Sequence, residues 1–73
     1  MGKIIAVFRS KKDTVVYFQK MQSVGVKVRN RSIPPFLKMP CGICVEFDKI
    51  DYPIATSVLK KGNYSTFVGF YPI

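Results

Sequence analysis

The stretch that decides the fold is Val26–Asp48, "VKVRNRSIPPFLKMPCGICVEFD". It holds two strands and a connection that cannot be a helix. "VKVRNRSI" (26–33) alternates apolar and basic residues, the period of two of a half-exposed strand at a sheet edge, with Lys27, Arg29 and Arg31 pointing one way. "PPFLKMP" (34–40) carries three prolines, which cannot donate to a sheet ladder, so it reads as loop. "GICVEFD" (42–48) is the next strand. Its parity puts Ile43, Val45 and Phe47 on the core side and Cys44 and Glu46 on the other.

Before this stretch, "KIIAVF" (3–8) is a short continuous apolar run, as in a strand buried on both faces. Ser10 then suits a helix N-cap, with Asp13 three residues on as a capping-box partner favoured by the helix dipole. Val15, Phe18, Met21 and Gln22, with Thr14 and Val24 beside them, are the expected apolar stripe, and Gly25 ends the helix. The β-branched Thr14-Val15-Val16 lowers helix propensity, so packing must hold this helix. After the third strand, Asp48 or Asp51 is expected to cap a second helix with Pro53 in its first turn. Ile54, Ala55, Val58 and Leu59 give its apolar side, Lys60 and Lys61 suit its C-terminal dipole, and Gly62 stops it. "YSTFVGFY" (64–71) is the last strand. The order β-α-β-β-α-β predicts an α+β, ferredoxin-like sandwich: an antiparallel sheet in order 4-1-3-2 with both helices on one face, residues 1–73 forming a single domain.

At 73 residues the chain can build one modest core. Apolar residues make up 48% and charged residues 22%, the balance of a globular domain. No apolar run approaches the length of a membrane span, and the N-terminus lacks a signal-peptide cleavage site, so a cytoplasmic protein without a membrane partner is expected. Twelve Lys and Arg against four Asp and Glu give +8, which favours an acidic partner.

Topology gathers the charge. With strand 1 running upward, the start of helix 1, the end of strand 2, the proline loop and the end of helix 2 all fall at the top. Arg9, Lys11, Lys12, Arg31, Lys38, Lys60 and Lys61 are expected there as an anion- or partner-binding set, with Cys41 at the entrance to strand 3. Glu46, Asp48 and Asp51 fall toward the opposite end. A thiol beside cations and a helix N-terminus ionises below the ordinary value of about 8.5. The chain has no histidine, which excludes a Cys-His pair and any histidine-bearing metal site, and neither metal nor cofactor is expected. Cys41-x-x-Cys44 runs into a strand rather than a helix. Residues three apart in a strand lie about 10 Å apart on opposite faces, so the two bridge only if Cys41-Gly42 is still turn. Cys44 reads as a small apolar sheet residue, or as a resolving thiol.

RNA recognition fails on its own terms. "CGICVEF" superficially resembles the strand-3 signature of RNA-recognition domains, but Gly42 and Cys44 stand where stacking aromatics are needed. Nucleic acid is therefore not an expected partner beyond weak, salt-sensitive binding. Because strand 1 is apolar at both parities, a homodimer through the open sheet face is a further expectation.

The segments "VFRSKKD", "RSIPPFLKMP", "CGICVEFD" and "DYPIATSVLKKGNYSTFVGFYPI" together resemble a family: the selenium/sulfur carrier-like proteins, a small domain of unknown function with a Cys-Gly motif. The resemblance covers nearly the whole chain. It implies a non-enzymatic carrier in which Cys41 accepts sulfur or selenium as a persulfide or selenopersulfide, Gly42 gives access, and the partners are donor and acceptor proteins. Pro40, Phe36 and Cys44 depart from the family pattern. The alternative reading is a non-catalytic binding module whose basic end takes an anionic ligand, nucleic acid or an acidic protein.

Overall fold

The structure is a computed structural model and describes residues 2–38 and 42–73. Within them lie β1 (Lys3–Phe8), α1 (Lys11–Ser23), β2 (Val28–Ser32), a 3₁₀ turn (Pro35–Leu37), β3 (Ile43–Asp48), a second 3₁₀ turn (Lys49–Asp51), α2 (Tyr52–Lys61) and β4 (Phe67–Pro72). The four strands form one antiparallel sheet in the order β2-β3-β1-β4, the α+β arrangement compatible with a ferredoxin-like fold. The central strands β1 and β3 are the most buried, the edge β2 (VRNRS) is polar, and the edge β4 (FVGFYP) is apolar and half-buried.

The first helix begins and ends as the residues dictate. Ser10 Oγ accepts the Asp13 amide at 3.4 Å. At the other end Gly25 takes φ 87°, a left-handed conformation that glycine adopts at no steric cost. The Gly25 N–H then donates to the Gln22 carbonyl and the Val26 N–H to the Met21 carbonyl, the paired bonds of a Schellman cap. Val26 and Met21 are both buried, closing the apolar contact that accompanies such a cap.

Which face α1 buries differs from expectation. Thr14, Tyr17 and Met21 are buried and Phe18 packs against the core, while Val15 and Val24 are 39% and 51% exposed. The stripe 14-17-18-21 is the i, i+3, i+4, i+7 set, and it outweighs Val15 because Tyr17 fills a large volume and finds a polar partner. The Tyr17 hydroxyl donates to the Ala55 carbonyl on α2 at 2.8 Å. Burial pushes the Tyr17 pKa up, and the neighbouring Tyr64 adds to it. In α2, Ala55 and Val58 are buried and Leu59 packs on the core, but Ile54 is 42% exposed. Asp51 stands at the N-cap position without a side-chain bond to the helix, and Asp48 pairs with Lys3 at 2.5 Å instead. That hydrogen bond, with the Lys3 charge, holds the Asp48 carboxyl below the usual range.

Between sheet and helices lies an aromatic core. Phe8 meets Tyr17, Tyr64 and Phe67 at ring distances of 5.2, 5.6 and 5.2 Å, and Phe70 meets Phe47, Tyr52 and Phe67. Gly62 follows α2 in an extended conformation, and a Cβ there would run into the Tyr64 ring. On the other face of the sheet, Ile5, Val7 and Cys44 are fully buried under Ile33, Leu37, Val68 and Tyr71. The expected open apolar face is thus covered by the chain's own β2–β3 loop and β4.

Candidate functional site

The β2–β3 connection is built from local bonds. Pro34 and Pro35 fix their own φ angles and start the 3₁₀ turn. Leu37 N–H donates to the Pro34 carbonyl at 3.0 Å and Lys38 N–H to the Pro35 carbonyl at 3.2 Å. Lys38 then takes φ 49°, ψ 45°, a left-handed conformation unusual for a residue with a side chain. The far side of the loop is tied by Ile33 N–H to the Gly42 carbonyl at 3.2 Å. Cys41, the expected acceptor thiol, lies outside the described residues, as do Met39 and Pro40.

Gly42, next in the chain, is exposed, and among the described residues a Cβ on it would meet nothing within 4 Å. Its φ is not positive, so neither a left-handed turn nor a contact with a described residue calls for glycine here. Cys44 is the opposite case. It is fully buried, and its Sγ lies 4.0 Å from the Ser32 carbonyl. A resolving thiol at this position requires Ile33 and Leu37 to lift away first.

The cations divide into groups. Arg9, Lys11 and Lys12 are exposed around the start of α1. The same turn holds Asp13, whose Oδ2 accepts both the Thr66 hydroxyl at 2.5 Å and the Thr66 N–H at 3.3 Å. The Thr66 hydroxyl in turn accepts the Ser10 N–H at 3.3 Å, and the Arg9 N–H donates to the Thr66 carbonyl at 2.9 Å. The second half of the expected capping box is replaced: the Ser10 N–H is taken by Thr66, just before β4, rather than by Asp13, and the Asp13 carboxylate faces this helix start. Neither sequence spacing nor periodicity marks Thr66; only the β1–β4 pairing brings it there.

Arg31 points along the sheet face, as its parity predicts. It stands opposite Cys44 in the β2–β3 register, and its Nη1 donates to Glu46 Oε1 at 3.0 Å. Glu46, 7% exposed, is the register partner of Arg29 and Ile5, toward the starts of β1 and β2, and the Arg31 side chain reaches along the sheet to it. Lys38 is exposed on the loop, and Lys60 and Lys61 are exposed at the end of α2. Lys61 lines a cleft of about 220 Å³ with Lys20, Ser23 and Val24. Those residues belong to the second half of α1, and Lys20 lies about 13 Å along the axis from Lys11 at 1.5 Å per residue. Lys61 is accordingly set beside the later turns of α1. The basic surface is spread over the start of α1, the β2–β3 loop and the α1–α2 cleft.

A family model described as "Putative Se/S carrier protein-like" matches residues 3–71. The chain belongs to that family. Comparison with curated proteins and with solved structures returns no match. In this Se/S carrier-like chain the match spans every strand and helix above, and it includes Cys41-Gly42. No described helix is long and apolar enough to cross a membrane.

Proposed function

We propose that this protein is a non-enzymatic carrier of sulfur or selenium, working in the cytoplasm, with Cys41 as the acceptor. The observation that carries the reading is the family match over residues 3–71, which includes Cys41. The exposed Gly42, a glycine that no contact with a described residue calls for, supports it: a donor's backbone can approach the residue beside the thiol. β1 and β3 pair antiparallel as far as Ala6 and Val45, and the exposed Arg9 follows the end of β1, the strand beside the one that Cys41 leads into.

The chemistry needs little else. The Cys41 thiolate attacks the outer sulfur of a donor persulfide, R–S–SH. A new S–S bond forms on Cys41, the donor's S–S bond breaks, and R–S⁻ leaves with the electron pair, taking a proton from solvent. The sulfane sulfur keeps its oxidation state, so no oxidant or reductant is consumed. A selenopersulfide, R–S–SeH, transfers selenium by the same displacement. Arg9, Lys11, Lys12 and Lys38 favour the anionic forms on both sides of the step, and Arg31, Lys60 and Lys61 extend the attraction for an acidic partner. Cys44 takes part only if the cover over it opens.

The test is chemical. Alkylation of the native protein across pH, with the label located by mass spectrometry, is expected to modify Cys41 quickly at pH values below the ordinary thiol range. Incubation with inorganic polysulfide is expected to leave Cys41 heavier by one sulfur atom, and selenide with glutathione disulfide by one selenium atom. Cys41→Ser is expected to lose the adduct and keep the fold, whereas Cys44→Ala keeps both. Labelling of Cys41 that waits for unfolding, with no adduct, overturns the reading in favour of the basic binding module.

A further inference from the structure

We infer that Phe36 is an aromatic anchor by which the β2–β3 loop docks into an apolar socket with an acidic rim on the protein that exchanges sulfur or selenium with this chain. The inference rests on the carrier reading above.

Phe36 is 68% exposed, although its neighbours are held in place. Ile33 and Leu37 pack inward on Ile5, Val7 and Cys44. In a 3₁₀ turn successive side chains point about 120° apart, so an inward Leu37 turns Phe36 away from the sheet. Two prolines, the bonds from Leu37 and Lys38 to the carbonyls of Pro34 and Pro35, and the Ile33–Gly42 bond fix the backbone that carries the ring. A large apolar side chain is thus presented to solvent on a preorganised support, which loses little freedom when a partner closes over it. Aromatic side chains with this character dominate the energetics of protein interfaces.

The surroundings select the partner. Lys38 just after the ring is exposed, Arg31 on the strand before the loop is exposed with its guanidinium also bonded to Glu46, and the chain as a whole carries +8. The matching surface is acidic around an apolar hollow. A second copy of this chain brings the same positive charge and is disfavoured. Single-stranded nucleic acid needs a series of aromatic platforms along a groove, and this loop offers one ring. Other exposed apolar residues lack the combination: Ile50 is aliphatic, stands between Lys49 and the acidic Asp51 and is far in the chain from Cys41, and Val15, Val16 and Ile54 lie on helices. The loop also leads directly into Cys41, so a partner seated on Phe36 meets the chain five residues from the thiol.

The experiment places a photo-crosslinking phenylalanine analogue at position 36, and at position 54 as a control, in cells that make the protein. The protein captured at 36 and not at 54 is then purified and titrated against wild type, Phe36→Ala and Lys38→Glu. The inference expects an acidic protein whose affinity falls about tenfold or more for Phe36→Ala and severalfold for Lys38→Glu, the second loss shrinking as salt rises. Loading of Cys41 by inorganic polysulfide is expected to be the same in Phe36→Ala as in wild type, and so is the thermal unfolding curve. No 36-specific protein, capture of nucleic acid or of a second copy, or an affinity indifferent to Phe36→Ala overturns the docking inference and leaves the carrier reading standing. Failure of polysulfide loading in the wild type overturns the carrier reading itself.

Discussion

The two faces of the sheet bury the same strand by different means. On one face, Ile4, Ala6 and Phe8 of β1 meet two helices through a dense aromatic core. On the other, Ile5 and Val7 are equally inaccessible, but their cover is a short proline-rich loop and the edges of β4. The first cover is held by two helices, joined by the Tyr17–Ala55 hydrogen bond, and by interlocked rings. The second is a small cluster whose lid hangs on Ile33, Leu37 and a few backbone bonds. The expectation is that the side with fewer covering side chains, the one whose loop leads to Cys41, opens first.

The comparison breaks most severely at Phe8. Phe8→Ala removes the ring that touches Tyr17, Tyr64 and Phe67, and about 3–5 kcal/mol of unfolding free energy is expected to go with it in urea titration. Leu37→Ala on the thinner face is expected to cost about 1–2 kcal/mol, less than a fully buried leucine because Leu37 is only half-buried. Its sharper signature is kinetic. Cys44 should become open to alkylation well before the protein unfolds, while Phe8→Ala should expose Cys44 only through global unfolding. Equal labelling of Cys44 in the two variants at matched stability would remove the distinction between the faces.

Tyr17→Phe is expected to cost about 1 kcal/mol at neutral pH through the lost bond to the Ala55 carbonyl. It also carries a pH signature. Burial raises the folded-state pKa of Tyr17 above the ordinary value of about 10, so its contribution is complete below that pH and is lost as pH rises through the folded value. Wild-type stability is expected to fall above about pH 10, and Tyr17→Phe to flatten that fall. Cys44→Ala, the smallest change, is expected to cost less than about 1.5 kcal/mol, because the residue serves as a small apolar filler. A larger loss would mean that the loop face is packed as tightly as the helical one.

Much of this was legible in the residues. The proline loop between two strands broke the βα alternation and so fixed the element order. The alternation of Arg29 and Arg31 with apolar or small polar neighbours gave the outer face of β2, and Gly25 marked the end of α1. In α1 the β-branched run draws the expected stripe to Val15, but the i, i+3, i+4, i+7 series from Thr14 to Met21 is the one that is buried. Element order places the ends of strands and helices, but not the crossing of α2 over α1 that sets Lys61 beside Lys20, nor the pull of Glu46 on Arg31.

By itself the sequence determined the β-α-β-β-α-β order, the strands with two apolar faces, the strong positive charge and the Cys41-Gly42 pair by which the family is recognised. Tertiary structure alone decided what covers the second face of β1, and that Cys44 is sealed while Phe36 is turned outward. Local pattern sets how a segment is built and which side of it is apolar. What lies against that side depends on contacts between residues far apart in the chain, and no periodicity within a segment records them.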